Sequence, residues 1–126
     1  MKILSLHDLP KVNETPLARV IHLDTMLIVE FDDNNENRVT LQFSPIQAFR
    51  WTTIDCYEVL DNLLLISRNI LELLNSEWVR QLTETLSSVD HSARFMENVR
   101  HFLIPLGDGV LEVVASDVGK APDINF

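Results

Sequence analysis

This chain of 126 residues has few of the residues from which a catalytic or metal site could be recognised. It contains one cysteine, three glycines and four histidines. A single cysteine excludes a disulfide framework and a zinc site built from thiolates. Three glycines, two of them in one turn, cannot supply a glycine-rich phosphate loop, and the histidines lack HxH, HxxxH and HExxH spacing. We therefore expect no metal, no cofactor and no catalytic residue, and thus no enzyme.

Long apolar stretches are also missing. Charged residues interrupt every apolar run well before the roughly 20 residues that a membrane-spanning helix needs. The segment 1–10 has one lysine and no apolar core, so it does not have the features of a secretory signal. With 46% hydrophobic residues the composition is that of a globular protein. We expect one domain over residues 1–126, located in the cytoplasm and not bound to membrane.

Basic residues are scarce. Ten Lys and Arg face nineteen Asp and Glu, which gives a formal net charge of −9. The segment 24–37 contains five carboxylates and no Lys or Arg, the carboxylates being Asp24, Glu30, Asp32, Asp33 and Glu36. Clustered carboxylates repel nucleic acid and anionic lipid and attract basic proteins. The charge pattern therefore predicts a basic protein as partner and no nucleic acid.

Alternation of apolar and polar residues predicts an early group of strands. The pattern over 27–32 and 39–43 is that of two half-buried strands, which we expect to pair as a hairpin. The polar segment between them is rich in Asn and Asp, which tolerate turn conformations, so its charges should project into water. A similar alternation over 19–24 predicts a third strand.

The C-terminal half contains a second predicted hairpin. Segments 101–106 and 110–115 flank Gly107-Asp108-Gly109, where glycine provides the positive backbone dihedral angles of a tight turn. Pro105 cannot donate a ladder hydrogen bond, so we expect an edge strand or a bulge there. The tail over 116–126 is predicted to be irregular.

A helix should begin between the two hairpins. Asn75 or Ser76 can cap it, and Glu77 complements its dipole. Its apolar face would be formed by Trp78, Val79, Leu82 and Leu86. A short amphipathic turn is expected over 92–98. Within 45–74 the pattern is ambiguous: 49–57 fits a strand, and 57–74 fits either a buried helix or two short strands. The predicted fold class is α+β: a mainly antiparallel sheet built from hairpins, with one or two helices packed on it.

Two potentially reactive side chains are expected to be structural. His101 precedes an apolar strand, which favours a partly buried hydrogen-bonding residue over a metal ligand or catalytic base. Cys56 stands next to Asp55, whose charge would raise the thiol pKa and make it a poor nucleophile. We therefore expect Cys56 to be a small core residue.

Three segments of the chain resemble small bacterial immunity proteins of polymorphic toxin and contact-dependent growth inhibition systems. They are the strand Phe49-Arg50-Trp51-Thr52-Thr53, the helix start Asn75-Ser76-Glu77-Trp78, and the hairpin formed by 100–104 and 111–115. The resemblance covers about residues 45–116. It implies a cytoplasmic α+β protein that binds the C-terminal toxin domain of a cognate effector and blocks its active site. No enzymatic residue is carried over.

The resemblance and the acidic charge suggest the same function, inhibition of a toxin. Many such toxins are nucleases with basic clefts, which an acidic protein can occupy as a charge mimic of nucleic acid. We predict that this protein neutralises its toxin, a basic protein of the nuclease class, by occluding the active-site cleft with an acidic surface. The residues predicted to attract the toxin are Asp24, Asp32, Asp33 and Glu36. A second acidic set consists of Asp55, Glu58 and Asp61, with Tyr57 as an apolar anchor.

Two alternatives remain open at this point. One is a structural or regulatory module that dimerises through a sheet edge, against which Pro45 and Pro105 argue weakly because proline blunts edges. The other is a small enzyme with a cation or carbohydrate site built from Asp55, Glu58 and Asp61. The oligomeric state does not follow from the sequence.

Overall fold

The computed structural model describes residues 2–57 and 67–121. Within these residues seven strands form one antiparallel sheet in the order β1-β5-β6-β7-β4-β3-β2, accompanied by a single α-helix. The strands are β1 (Lys2–Ser5), β2 (Arg19–Leu23), β3 (Met26–Asp32), β4 (Arg38–Thr53), β5 (Leu71–Leu74), β6 (Arg100–Leu106) and β7 (Gly109–Lys120). The helix is α1 (Glu77–Val89), and Ile54–Cys56 forms one 3₁₀ turn. The predicted α+β class is confirmed.

Both predicted hairpins are present. In the first, β3 pairs with β4 from Leu27↔Phe43 to Asp32↔Arg38. In the second, β6 pairs with β7 around a turn in which Gly107 has φ of 60°. The third predicted strand is β2, which pairs with β3 and forms one edge of the sheet. Short-range alternation therefore identified the strands that are joined by tight turns.

Strand β4 joins the two hairpins into one sheet. Its 16 residues pair first with β3 and then, from Leu41 to Thr53, with β7. The register shifts between Ile46 and Ala48, which marks an irregularity in the middle of the strand. Beyond it, successive residues of β4 alternate between the two sides of the sheet, opposite the start of β7.

The main hydrophobic core lies on one side of the sheet, which we call the core face. Phe43 and Phe102 meet edge to face there, with ring centroids 5.2 Å apart. Burial of each such side chain stabilises the fold by about 2 kcal/mol. The core also receives side chains from outside the strands, and these are Leu6, Leu9, Val12 and Ile70.

Helix α1 lies on the opposite side, the network face, and begins as predicted. The Ser76 side chain accepts a hydrogen bond from the Val79 N–H at 3.1 Å, which makes Ser76 the N-cap. The helix contacts the sheet through Trp78, whose ring lies 5.4 Å from that of His101. The segment 92–98 forms turns rather than a helical element.

Three expectations about local structure are wrong. Of the tail 116–126, the segment 116–120 is not irregular, because β7 continues to Lys120 opposite Leu41, and residues 122–126 lie outside the described residues. Pro105 lies in β6, an interior strand with no register shift against β7, and is accommodated because β5 pairs only with residues 102 and 103 of β6. Cys56 is exposed. The open question over 45–74 is answered for the described part, where β4 and β5 are strands.

Candidate functional site

A cavity of about 520 Å³ lies on the network face between β4, β6, β7 and the start of α1. Its walls combine three buried polar side chains with the two aromatic side chains Tyr57 and Trp78 and with several residues that reach solvent. Its lining residues include Arg50, Tyr57, Ser76, Trp78, His101 and Glu112. The cavity brings a hydroxyl, an imidazole, a carboxylate and a guanidinium group together in one place.

The polar side chains of the cavity form one hydrogen-bonded chain, which we call the Ser-His-Glu-Arg network. Ser76 Oγ lies 2.6 Å from His101 Nδ1, and His101 Nε2 lies 2.9 Å from Glu112 Oε1. Arg50 completes the chain by donating from Nε to Glu112 Oε2 at 2.6 Å and from Nη2 to Oε1 at 3.2 Å. The His101 and Glu112 side chains are only 2% and 4% exposed.

The chemistry of these groups fixes the direction of the hydrogen bonds. A carboxylate only accepts, so His101 Nε2 carries the proton that it donates to Glu112. In the neutral ring Nδ1 then accepts from the Ser76 hydroxyl, whose oxygen in turn accepts from Val79 N–H. Among the described residues no buried side-chain nitrogen or oxygen lacks a partner. The network is therefore fully satisfied within the protein.

The Trp78 ring holds the network in position. The Arg50 guanidinium lies 4.0 Å above the centre of this ring, and the ring also makes a T-shaped contact with His101. A cation over an indole is attracted by the negative face of the ring. Helix α1 is thus attached to the sheet at its first turn by Ser76 and Trp78 together.

The network alters the pKa values of two side chains. Burial alone would raise the pKa of Glu112, but hydrogen bonds from His101 and Arg50 outweigh it, so this pKa lies below its ordinary value of 4.5. The pKa of Tyr57 is raised to about 12, first by burial and then by the negative charge of Glu112. Glu112 is therefore ionised and Tyr57 protonated at neutral pH.

The order Ser76, His101, Glu112 is the connectivity of a nucleophile, a general base and an orienting acid. Two contacts oppose that use. Arg50 already neutralises Glu112 with two hydrogen bonds, and the Ser76 hydroxyl also caps α1. In the part of the chain that the structure describes, no three His, Cys, Asp or Glu side chains could together hold a metal ion.

The first predicted acidic set does not form one patch. Asp33 is buried, and its Oδ1 accepts from the N–H groups of Asn35 and Asn37, so it shapes the β3–β4 turn. Asp32 forms an ion pair with Arg38 at 3.2 Å. Glu36 is exposed in the same turn. Asp24 lies at the other end of β3, about 20 Å away along a strand of seven residues.

The second predicted set lies elsewhere again. Asp55 is exposed just after β4, close to the β6–β7 turn, because Ile54 N–H donates to the Asp108 carbonyl at 2.8 Å. Tyr57 lines the cavity on the network face. Glu58 and Asp61 lie outside the described residues. The structure therefore brings Asp55 close to Asp108, which the sequence interpretation had not included.

Sequence reasoning treated the histidine correctly but missed its partners. His101 is a buried hydrogen-bonding residue, as expected, whereas Arg50 and Glu112 were not singled out. A signal for Glu112 was available. A two-residue turn at 107–108 places Leu103 opposite Glu112 and His101 opposite Val114, so Glu112 and His101 are diagonal neighbours on one face.

Comparison with known proteins returns no relatives: no protein-family model, curated protein or solved structure matches the chain. In the described residues no helix is long and apolar enough to cross a membrane. The fold and the cavity define an antiparallel α+β protein with a satisfied buried polar network.

Proposed function

We propose that this chain is a cytoplasmic immunity protein, which binds the basic C-terminal toxin domain of a cognate effector and occludes the active-site cleft of that domain. One observation carries the proposal. Every arginine of the chain is bonded to a carboxylate or carbonyl oxygen of the chain itself. These arginines are Arg19, Arg38, Arg50, Arg68, Arg80, Arg94 and Arg100.

Many of the carboxylates, by contrast, have no ion-pair partner in the part of the chain that the structure describes. Among the described residues eight exposed carboxylates form no ion pair, and they are Asp8, Glu14, Asp24, Glu36, Asp55, Asp90, Asp108 and Asp117. Seven of the ten basic side chains are thus engaged internally. Within residues 2–57 and 67–121 the exposed Lys2, Lys11 and Lys120 form no ion pair, but the eight exposed carboxylates without one outnumber them. The uncompensated charge of this protein is negative, in agreement with its net charge of −9.

Such a surface favours a basic partner for a physical reason. Complementary charge accelerates association toward about 10⁸ M⁻¹s⁻¹ at low salt, and rapid capture matters for a lethal toxin. The clefts of nucleases are basic because they hold phosphates, so a nuclease domain is the toxin class that this charge fits best. The same charge disfavours nucleic acid and anionic lipid as ligands.

The test is calorimetric titration with the C-terminal domain encoded by the gene immediately upstream, at about 50 mM and about 500 mM salt. We expect tight one-to-one binding that weakens at the higher salt, because screening shortens the range of the attraction. Loss of toxin activity at equimolar inhibitor would show that the cleft is blocked. An absence of binding at both salt concentrations would refute the proposal.

A second candidate is favoured by the Ser-His-Glu connectivity. If the hydrogen bonds between Arg50 and Glu112 break, Ser76 could act as a nucleophile in ester or amide hydrolysis, and His101 would accept the proton of its hydroxyl. Incubation with a fluorophosphonate probe, followed by peptide mass spectrometry, tests this. An adduct on Ser76 that is absent from the Ser76→Ala variant would support a serine hydrolase, and an unlabelled Ser76 would exclude one with an activated serine.

A further inference from the structure

Two aromatic side chains on β4 remain exposed at the margin of the core face. Phe49 is 39% exposed and Trp51 is 51% exposed. They lie two residues apart, opposite Val113 and Leu111, so both rings point to the core face. We call Phe49 and Trp51 the aromatic strip. Large exposed aromatic side chains on a soluble protein frequently mark interaction surfaces.

A groove of about 400 Å³ lies at one end of the aromatic strip, between the β2–β3 turn and the middle of β4. The ring of His22 meets that of Phe49 edge to face with centroids 5.4 Å apart, and Asp24 also lines the groove. Asp24 is exposed and is one of the eight exposed carboxylates without an ion pair among the described residues. The groove thus combines a free negative charge with an aromatic wall.

Two more free carboxylates lie at the other end. Asp55 follows β4, and the backbone bond from Ile54 to Asp108 holds the β6–β7 turn beside it. Trp51 packs closely over Gly109 in the same region, since a Cβ built on Gly109 would lie only 2.4 Å from Trp51 Cε2. The aromatic strip is therefore bordered by acidic side chains at both ends.

We infer that the aromatic strip is the surface on which the toxin domain docks, with an arginine or lysine side chain of the toxin in the groove beside Asp24. This inference rests on the proposed function and adds the contact surface to it. An apolar centre with a charged rim is the common anatomy of protein interfaces, and a cation is attracted both by a carboxylate and by an aromatic face.

Charge decides between the occupants of this surface. A second copy of the chain would bring another net charge of −9 toward the free carboxylates, and the two copies would repel each other. A basic domain meets complementary charge at both ends of the strip. One residue of each predicted acidic set borders the strip, Asp24 from the first set and Asp55 from the second.

The test compares variants of the full chain in calorimetric titrations with the upstream-encoded toxin domain. Trp51→Ala and Phe49→Ala should each weaken binding at least about tenfold, as expected for anchors near the centre of an interface. The matched control is Phe95→Ala, since Phe95 is 54% exposed in a different part of the fold, next to the end of α1. It should change affinity less than about twofold.

The charge is tested separately with a substitution that is expected to leave the fold intact. Asp24→Asn should weaken binding about two- to fivefold at low salt and less at high salt. Glu36→Gln removes an equally free carboxylate from the far end of β3 and should have no comparable effect.

Failure of the inference differs from failure of the proposed function. If wild type binds but the strip variants bind as tightly as Phe95→Ala, the toxin docks elsewhere and the inference is wrong. If wild type does not bind, the proposed function itself is wrong. A concentration-dependent dimer in sedimentation equilibrium that Trp51→Ala abolishes would also overturn the inference, because it assigns the strip to a second copy.

Discussion

Residues 49–52 of β4 alternate between the two faces of the sheet. On one face the side chain is held by partners within the protein, and on the other the side chains remain partly exposed. Arg50 faces the cavity, where it is bonded to Glu112 and stacked on Trp78. Phe49 and Trp51 face the other way and keep 39% and 51% of their surface exposed. Adjacent residues of one strand thus have different roles. The network face holds the helix on the sheet, while the aromatic strip retains surface that a partner can bury.

The difference also indicates what buried charge does in this protein. A buried ion pair seldom adds much net stability compared with apolar residues of the same size, but removing one partner is costly. The Ser-His-Glu-Arg network links four separate elements, β4, β6, β7 and the start of α1. We therefore expect it to specify where α1 sits, and we expect variants on the network face and on the strip to have separable effects.

The largest effect on stability should come from Glu112→Ala. This substitution leaves Arg50 and the buried His101 without their shared acceptor, so the free energy of unfolding should fall by about 3 kcal/mol in urea denaturation. Glu84→Ala is the matched control, because Glu84 is exposed and pairs with Arg80 on the surface of α1. It should cost less than about 1 kcal/mol. Equal costs for the two would contradict a structural role for the network.

Gly109→Ala should have the next largest effect, and it affects the aromatic strip. Its Cβ would lie 2.4 Å from two atoms of the Trp51 ring and 2.6 Å from the backbone oxygen of Thr52. We expect destabilisation by about 2 kcal/mol and a changed Trp51 fluorescence spectrum. Gly119→Ala is the control, because nothing lies within 4 Å of its added Cβ. An unchanged melting temperature for Gly109→Ala would show that Trp51 does not pack as described.

Ser76→Ala should have a smaller effect. It removes both the cap of α1 and the hydroxyl that donates to His101 Nδ1, at a cost of about 1–2 kcal/mol. Ser88→Ala removes an exposed hydroxyl bonded to the Thr85 carbonyl late in the same helix and should cost less. Circular dichroism during thermal unfolding measures both. A cost for Ser76→Ala no greater than that for Ser88→Ala would argue against the joint role of Ser76.

The elements that the sequence revealed are those determined by neighbours along the chain. The hairpins β3–β4 and β6–β7 and the start of α1 follow from alternation, turn residues and the Ser76 cap. Strand β1 was missed because its four residues pair with β5, nearly 70 positions away, and carry little pattern of their own. Long-range pairing of this kind is not encoded locally.

The candidate site was predictable only in part for the same reason. The acidic residues around 24–36 are close in sequence, but the hairpin places Asp24 and Glu36 at opposite ends of β3. Conversely, Asp55 and Asp108 are distant in sequence and neighbours in the fold. The sequence pattern suggests that Asp32 and Asp33 are unpaired charges. In the fold, Asp32 forms an ion pair with Arg38, and Asp33 accepts hydrogen bonds from amides of the turn. A charge count cannot distinguish engaged carboxylates from free ones.

The smallest predicted effect concerns pH and again separates the two surfaces. The pKa of Glu112 is lower in the folded protein than its ordinary value of 4.5, so the unfolded chain binds the proton more readily. Its contribution to stability is therefore complete above about pH 4.5 and is lost as pH falls through the lower folded pKa. Urea denaturation of wild type and Glu112→Gln from pH 7 to pH 3 measures this contribution.

The stability difference between wild type and Glu112→Gln should be constant at neutral pH and shrink below about pH 4.5. Trp51→Ala is the comparison on the other face, and its difference from wild type should not narrow over the same range, because Trp51 lies outside the network. A difference for Glu112→Gln that stays constant down to pH 3 would mean that the bonds from His101 and Arg50 do not favour the ionised carboxylate. The network would then stabilise the fold through packing and not through the charge of Glu112, and charge would not distinguish it from the aromatic strip.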